Sequence, residues 1–264
     1  MKKIIIVSLL ILAVNILFAQ QYRVIRVDGT ILLKKNNSPL KKGSVVSPNE
    51  EFIFKSPNAR AAVILPGKGR YVLQADNSDD VYAKAKLAPA MSNISSRSGA
   101  INNKVALSNY FDGKYVIIDK VKIKIPKTEF PMDDNNFFYI KYKYKGETVN
   151  KKLSHIDDTL IIDRSQLLTV DNKPIPNPYI SDMELIYLSK DREKGNVKNI
   201  FINKFSPVFP KSEELKEEVA IILESMSDKS REQKINEVFS FINDFYGKPD
   251  KKNLEIWLHQ EFGL

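Results

Sequence analysis

Two stretches constrain the fold of this chain more tightly than any other. In "DKVKIKIPK", residues 119–127, Lys120, Lys122 and Lys124 alternate with Val121, Ile123 and Ile125. In "YIKYKYK", residues 139–145, Lys141, Lys143 and Lys145 alternate with Ile140, Tyr142 and Tyr144. A period of two puts successive side chains on opposite faces of an extended backbone, which makes each run a strand with one apolar and one basic face. Such alternation is what an antiparallel sheet with one face on a core and one in water requires. If the two strands pair, the six lysines share one face and attract anions, whether lipid headgroups, polysaccharide acids or an acidic protein. These residues are the candidate binding set. The same lysines also serve a plainer purpose, since charge on an edge strand discourages aggregation.

The strands continue on either side. "NNFFYIKYKYKGETVNKKL", "TLIIDRSQLLTV", "DMELIYLSK" and "NVKNIFINKF" supply further extended runs, with Lys145-Gly146-Glu147 as a hairpin tip. Pro174, Pro176 and Pro178 keep "NKPIPNPYIS" out of any central strand, because proline donates no ladder hydrogen bond. Residues 110–209 are therefore expected to form an immunoglobulin-like β-sandwich. Residues 210–264 are expected to be helical. Ser212 is a candidate cap for a helix with Leu215, Val219, Ile222 and Met226 inward. Asp228 or Ser230 is placed to cap a second, with Ile235, Val238, Phe239, Ile242 and Phe245 on one face, ended by Gly247 and Pro249. Asp250 caps a third, with Leu254, Trp257, Leu258 and Phe262 inward.

Residues 20–86 show a shorter rhythm. "YRVIRV", "TILLKK", "EFIFKS" and "RAAVIL" are separated by Asp28-Gly29, Asn36 to Pro39, Lys42-Gly43 and Ser56-Pro57-Asn58. Short strands with such punctuation indicate a small barrel or sandwich. The next turn, Gly67-Lys68-Gly69-Arg70, lacks the spacing of a phosphate-binding loop and is followed by the strand-like "YVLQ". It is expected to be a hairpin turn whose Lys68 and Arg70 stay in water. A strand over Asp80–Lys86 is expected to close this module, and residues 87–109, rich in Ser, Asn and Ala, to be a linker, loosest near Ser92–Gly99.

The order Val27-Asp28-Gly29, Leu40 to Gly43, Phe52-Ile53-Phe54, Ala61 to Leu65 and Pro66-Gly67 resembles the FecR-type periplasmic domain of the ferric-citrate signalling regulator and of stand-alone exported proteins. The resemblance implies a small all-β module that senses or holds something in the envelope and has no catalytic residues. A bacterial SH3-like barrel has nearly the same pattern.

The first nineteen residues, "MKKIIIVSLLILAVNILFA", have a basic start, an apolar middle and Ala19 at the end, which is the pattern of a cleavable signal peptide. The apolar run Ile4–Phe18, at about 1.5 Å per residue, falls short of a ~30 Å hydrocarbon core, so no permanent span is expected once it is cut. Residues 1–19 thus point to the periplasm or cell exterior. The chain has no cysteine, which excludes disulfides, N-terminal lipidation on cysteine, thiolate metal sites and cysteine nucleophiles. Lys and Arg outnumber Asp and Glu by 41 to 32, a modest bias towards anionic partners. No nucleic-acid recognition motif is present.

Catalytic candidates are few. Ser154, His155, Asp157 and Asp158 lie together in "LSHIDD", but a hydrolytic triad assembles through the fold rather than from neighbours in sequence. His259, the other histidine, sits on a helix beside Trp257. Asp79-Asp80, Asp133-Asp134 and Asp157-Asp158 are adjacent acids, whereas a glycosidase needs two facing each other. Asp133 to Asn136 lacks the glycine and terminal glutamate of a calcium loop. The expectation is a non-enzymatic binding or scaffolding protein of the bacterial envelope without cofactor or metal, recognising another envelope protein or an anionic polymer. The alternatives are an envelope-sensing signalling component and a hydrolase centred on His155.

Overall fold

The computed structural model describes residues 21–75, 85–89, 101–175, 182–190 and 195–264. The leader, the Ser92–Gly99 stretch, Asp79-Asp80, Pro176 and Pro178 lie outside them. The fold is mainly β with helices towards the C-terminus. It divides into two units, and the helices do not form a third: Glu213–Phe241 belongs with the first β region and Ile242–Leu264 with the second.

The first unit opens with β1 (Tyr22–Asp28), β2 (Ile31–Leu33), β3 (Ser38–Pro39) and β4 (Val45–Val46), followed by β5 (Phe52–Phe54), β6 (Arg60–Leu65), β7 (Gly69–Ala75) and β8 (Ala85–Pro89). They form a five-stranded sheet in the order β4-β1-β6-β7-β8 and a three-stranded sheet in the order β3-β2-β5. Val24, Ile31, Phe52, Phe54, Val63 and Leu73 meet in one core. The turn after β1 needs Gly29 twice over. Its φ is +77°, and a Cβ there would lie 3.1 Å from that of Ala59.

The β6–β7 hairpin turns at Gly67 as expected, with the Lys68 N–H donating to Leu65 O at 3.0 Å. Arg70 departs from expectation. Its side chain is 0% exposed, and its Nε lies 2.7 Å from Glu237 Oε1. Its Nη2 donates to Ser240 Oγ at 2.9 Å. The helix of residues 231–245 covers this strand, and nothing in the hairpin's own sequence announces that cover.

Other basic residues of this unit meet the preceding helix in the same way. Arg26 Nη1 donates to Glu218 at 3.0 Å, and Arg23 and Lys42 pair with Glu224 and Glu217.

The first described element of the second unit is α1 (Lys104–Tyr110), all but the last residue of which lies within the stretch expected as linker. Asn103 caps it, accepting the Ala106 N–H at 2.8 Å, and Leu107 and Tyr110 are buried. Then come β9 (Lys114–Val116), β10 (Lys120–Lys124), β11 (Asn136–Tyr144), β12 (Glu147–Lys152), β13 (Ser154–Ile156), β14 (Thr159–Asp163) and the short α2 (Arg164–Leu167). Among the described residues β15 (Thr169–Val170) and β16 (Lys173–Pro174) pair only with each other, which accommodates Pro174. β17 (Met183–Lys190) and β18 (Val197–Val208) complete the long strands.

The helices are α3 (Ser212–Ser225), α4 (Arg231–Phe245) and, after β19 (Lys248–Pro249), α5 (Lys251–Phe262). The apolar positions expected inward on the helices are buried except Phe262, which is partly exposed. Ser230 and Gln233 exchange hydrogen bonds at the start of α4, a capping box.

A six-stranded sheet, β12-β11-β17-β18-β9-β19, and a three-stranded sheet, β10-β14-β13, share one core. β9 pairs in parallel with both β18 and β19, an arrangement that alternation within a strand does not encode. Phe111, Tyr115 and Phe205 pack together in this core, tilted or edge to face, with ring centroids 5.0–5.8 Å apart.

Two core tyrosines give the unit an alkaline limit. The Tyr142 hydroxyl donates to Leu167 O at 2.5 Å and the Tyr187 hydroxyl to Pro131 O at 2.6 Å. Burial, aided by Tyr144 for the first and Asp133 for the second, pushes each pKa up to about 12. An unfolded tyrosine ionises near pH 10, so between pH 10 and 12 the native state holds protons the unfolded state has lost. Unfolding free energy is therefore expected to fall across that window, and Tyr142→Phe with Tyr187→Phe to flatten the fall. Urea melts at pH 9, 10 and 11 measure it.

Candidate binding face

The two lysine-bearing strands do not pair. β10, with Lys120, Lys122 and Lys124, belongs to the three-stranded sheet, and β11, with Lys141 and Lys143, to the six-stranded one. Lys145 sits in the β11–β12 turn at φ +51°. The six ammonium groups thus split into two sets. In the first, Lys120 pairs with Asp163 at 3.1 Å and Lys124 with Asp158 at 3.3 Å, which partly neutralises it.

The second set has neighbours that the alternation at residues 139–145 did not bring into view. Phe138, Ile140 and Tyr142 point into the core, so Phe137, Tyr139, Lys141 and Lys143 point outward from the same strand. Register carries this outer face across the sheet. Phe137 lies opposite Leu188, Tyr139 opposite Ile186 and Lys141 opposite Glu184. On the next strand Phe201 lies opposite Ile186 and Lys204 opposite Glu184.

The outer face is therefore apolar and aromatic at one end, and at the other carries Lys141, Lys143 and Lys204 with the acids Glu184 and Asp182 among them. Phe201 is 50% exposed and Val197 53%, while Phe137, Tyr139 and Leu188 are half-buried. Lys152 Nζ stands 4.3 Å over the Phe137 ring. Lys141 pairs with Glu184 at 3.0 Å and Lys204 with Asp182 at 2.8 Å. The Lys204 hydrogen bond holds the Asp182 carboxyl below its usual range, and Asp182 in turn raises the Lys204 pKa. Lys143 is exposed and has no ion-pair partner among the described residues. The sequence signal for the aromatic end was available: reading the alternation back to Asn136 puts Phe137 and Tyr139 in phase with the lysines.

A cleft of about 320 Å³ runs between β9–β10 and β19–α5. Val116, Ile118, Leu254 and Trp257 form its apolar side, and Lys120, Lys122, Asn253 and Gln260 its polar side. Most of the polar groups hold the fold together. The Lys122 N–H donates to Asn253 Oδ1 at 2.8 Å, and Asn253 Nδ2 donates back to Lys122 O at 3.0 Å. The amide thus stands in for a strand on the outer edge of β10. Beneath it Asp250 accepts the Asn253 N–H at 2.7 Å and the Tyr110 hydroxyl. Burial, with Tyr115 and Asp250 nearby, drives the Tyr110 pKa far above its ordinary value. Asn253→Ala removes both bonds to the strand and is expected to cost about 1–2 kcal/mol in a urea melt.

The histidine cluster is dispersed. His155 lies on β13 with its Nδ1 buried and without a hydrogen bond. Asp157 pairs with Lys127 at 3.7 Å and Asp158 with Lys124, so neither carboxylate orients the imidazole. Asp133 closes a turn into β11, accepting the N–H groups of Asn135 at 2.7 Å and Asn136 at 2.8 Å. No group of three potential metal ligands occurs among the described residues. No family model matches the chain, and no curated protein matches it.

Proposed function

We propose that this chain is an exported, non-enzymatic binding or scaffolding protein of the bacterial cell envelope, and that its second unit holds an acidic polysaccharide on the outer face of the six-stranded sheet. The observation that carries this reading is the aromatic strip of exposed Phe201 and half-buried Tyr139 and Phe137, bordered by Lys141, Lys143 and Lys152. Flat rings on a sheet offer apolar surface to the faces of sugar rings. The ammonium groups beside them attract carboxylate or sulfate at a range that salt shortens. The N-terminal leader supports export, and the FecR-type pattern of the first unit supports an envelope setting.

The test is affinity electrophoresis with alginate and with neutral dextran. Retardation by alginate alone is expected, and Phe201→Ala with Tyr139→Ala is expected to weaken it about tenfold, or ~1.4 kcal/mol. Lys141→Gln with Lys143→Gln is expected to weaken it and to reduce its salt dependence. Equal retardation by dextran, or aromatic variants that bind as well as the parent, would refute the reading.

A further inference from the structure

The six-stranded sheet ends at β12, whose outer edge is unpaired among the described residues. The Leu153 N–H donates to Phe138 O at 2.9 Å, which fixes the phase of the β11–β12 ladder. Glu147, Val149 and Lys151 turn their main-chain groups towards β11, and Thr148, Asn150 and Lys152 turn theirs away from it. No described residue bonds these outward groups. Glu147, Thr148, Asn150 and Lys152 are exposed, and Val149 and Lys151 half-buried. Glu147 and Lys151 share one face with Val149 between them, and neither has an ion-pair partner among the described residues.

A bare edge invites another strand, and this one is complementary to itself. We infer that β12 pairs antiparallel with β12 of a second copy of the chain, about a two-fold axis through Val149. In that register Thr148 faces Asn150 of the partner copy, and their outward N–H and C=O groups exchange hydrogen bonds. Glu147 faces Lys151 on both sides of the axis, and the two Val149 side chains meet between the ion pairs. Opposite charges directly across a non-hydrogen-bonded pair favour the pairing, and like charges oppose it. Centring the axis on Asn150 places Lys151 opposite Val149 and forfeits both ion pairs. Centring it on Thr148 sets Glu147 against Val149. Charge therefore selects one register, and the sheet runs on through the dimer.

Sedimentation equilibrium of the full chain tests this. A concentration-dependent dimer is expected for the parent. Asn150→Pro deletes an N–H that the β11 ladder does not use, at a position where proline is tolerated, and is expected to give a monomer with an unchanged melting temperature. Lys151→Glu sets like charges across both pairs and is expected to weaken the dimer about tenfold or more. Glu147→Lys combined with Lys151→Glu restores the pairs and is expected to restore the dimer. The charge variants are on the surface and keep the test decisive should the proline variant fold poorly. A parent that stays monomeric at about 100 µM, a concentration at which a ~10 µM dimer would be mostly assembled, overturns the inference. So does a dimer indifferent to Lys151→Glu, or a reversal pair that fails to recover.

Discussion

Arg70→Ala is expected to lower the unfolding free energy of the first unit by about 3–5 kcal/mol, the usual cost of breaking a buried ion pair by removing one partner. The Arg70 side chain is fully enclosed while Glu237 keeps 19% of its own exposed, so the abandoned carboxylate regains part of its hydration and the lower end of the range is the better figure. The guanidinium also stands 5.9 Å from the centre of the Phe241 ring, and its loss leaves a void beside that ring. Guanidinium chloride melts followed by circular dichroism measure the change. Replacing both partners, Arg70→Met with Glu237→Met, is expected to recover most of the loss, because the apolar pair removes the unpaired charge and fills the space. A single variant as stable as the parent would show that α4 does not depend on this contact.

Gly247→Ala is expected to cost the second unit about 3 kcal/mol. At φ +126° only glycine is free of strain, and a side chain there costs roughly 1–3 kcal/mol before any contact is counted. The added Cβ would then sit 2.7 Å from Lys114 Cβ and 3.0 Å from Lys114 O. The second of these is main chain in β9 and has little freedom to retreat. Gly247 is where the chain leaves α4 and enters β19, whose Lys248 pairs with Tyr115, so the clash pushes β19 off the sheet and loosens the Asp250 cap that follows. Gly113→Ala is the control. Its φ is also positive, at +66°, but nothing lies within 4 Å of the added carbon, and a cost near 1 kcal/mol is expected from the backbone alone. Equal melting temperatures for the two variants would contradict the close approach.

The pattern of legibility follows from what each signal depends on. Period-two alternation is local, so most of the long strands and the Lys145-Gly146 turn were readable. The amphipathic stripes of α3, α4 and α5 and the Asp250 cap were readable for the same reason, and the α4 cap was narrowed to Asp228 or Ser230, of which Ser230 makes the bond. Partnership is not local. Nothing in "GKGR" shows that Glu237 and Ser240 close over Arg70, and nothing in "KVKIK" shows that its partner is "TLIID" rather than "YIKYKYK". α1 was hidden by composition: its Ser, Asn and Ala suggest a linker, and only Asn103 with Leu107 and Tyr110 betrays a capped, one-sided helix. The candidate face was half visible, because the lysines of β11 stood out while the alternation was followed back only as far as Ile140, short of the in-phase Tyr139 and Phe137. Phe201 belongs to it only through the register of β17 with β18, which includes a bulge between Leu185 and Ile186.

The most direct measurement of the central claim is the acetylation rate of individual lysines, read by mass spectrometry with and without alginate. Binding on the outer face of the six-stranded sheet predicts protection of Lys141, Lys143 and Lys152, with Lys124 on the other sheet and Lys127 in the turn beyond it unchanged. Uniform protection of both sets, or protection confined to Lys120, Lys122 and Lys124, would contradict it.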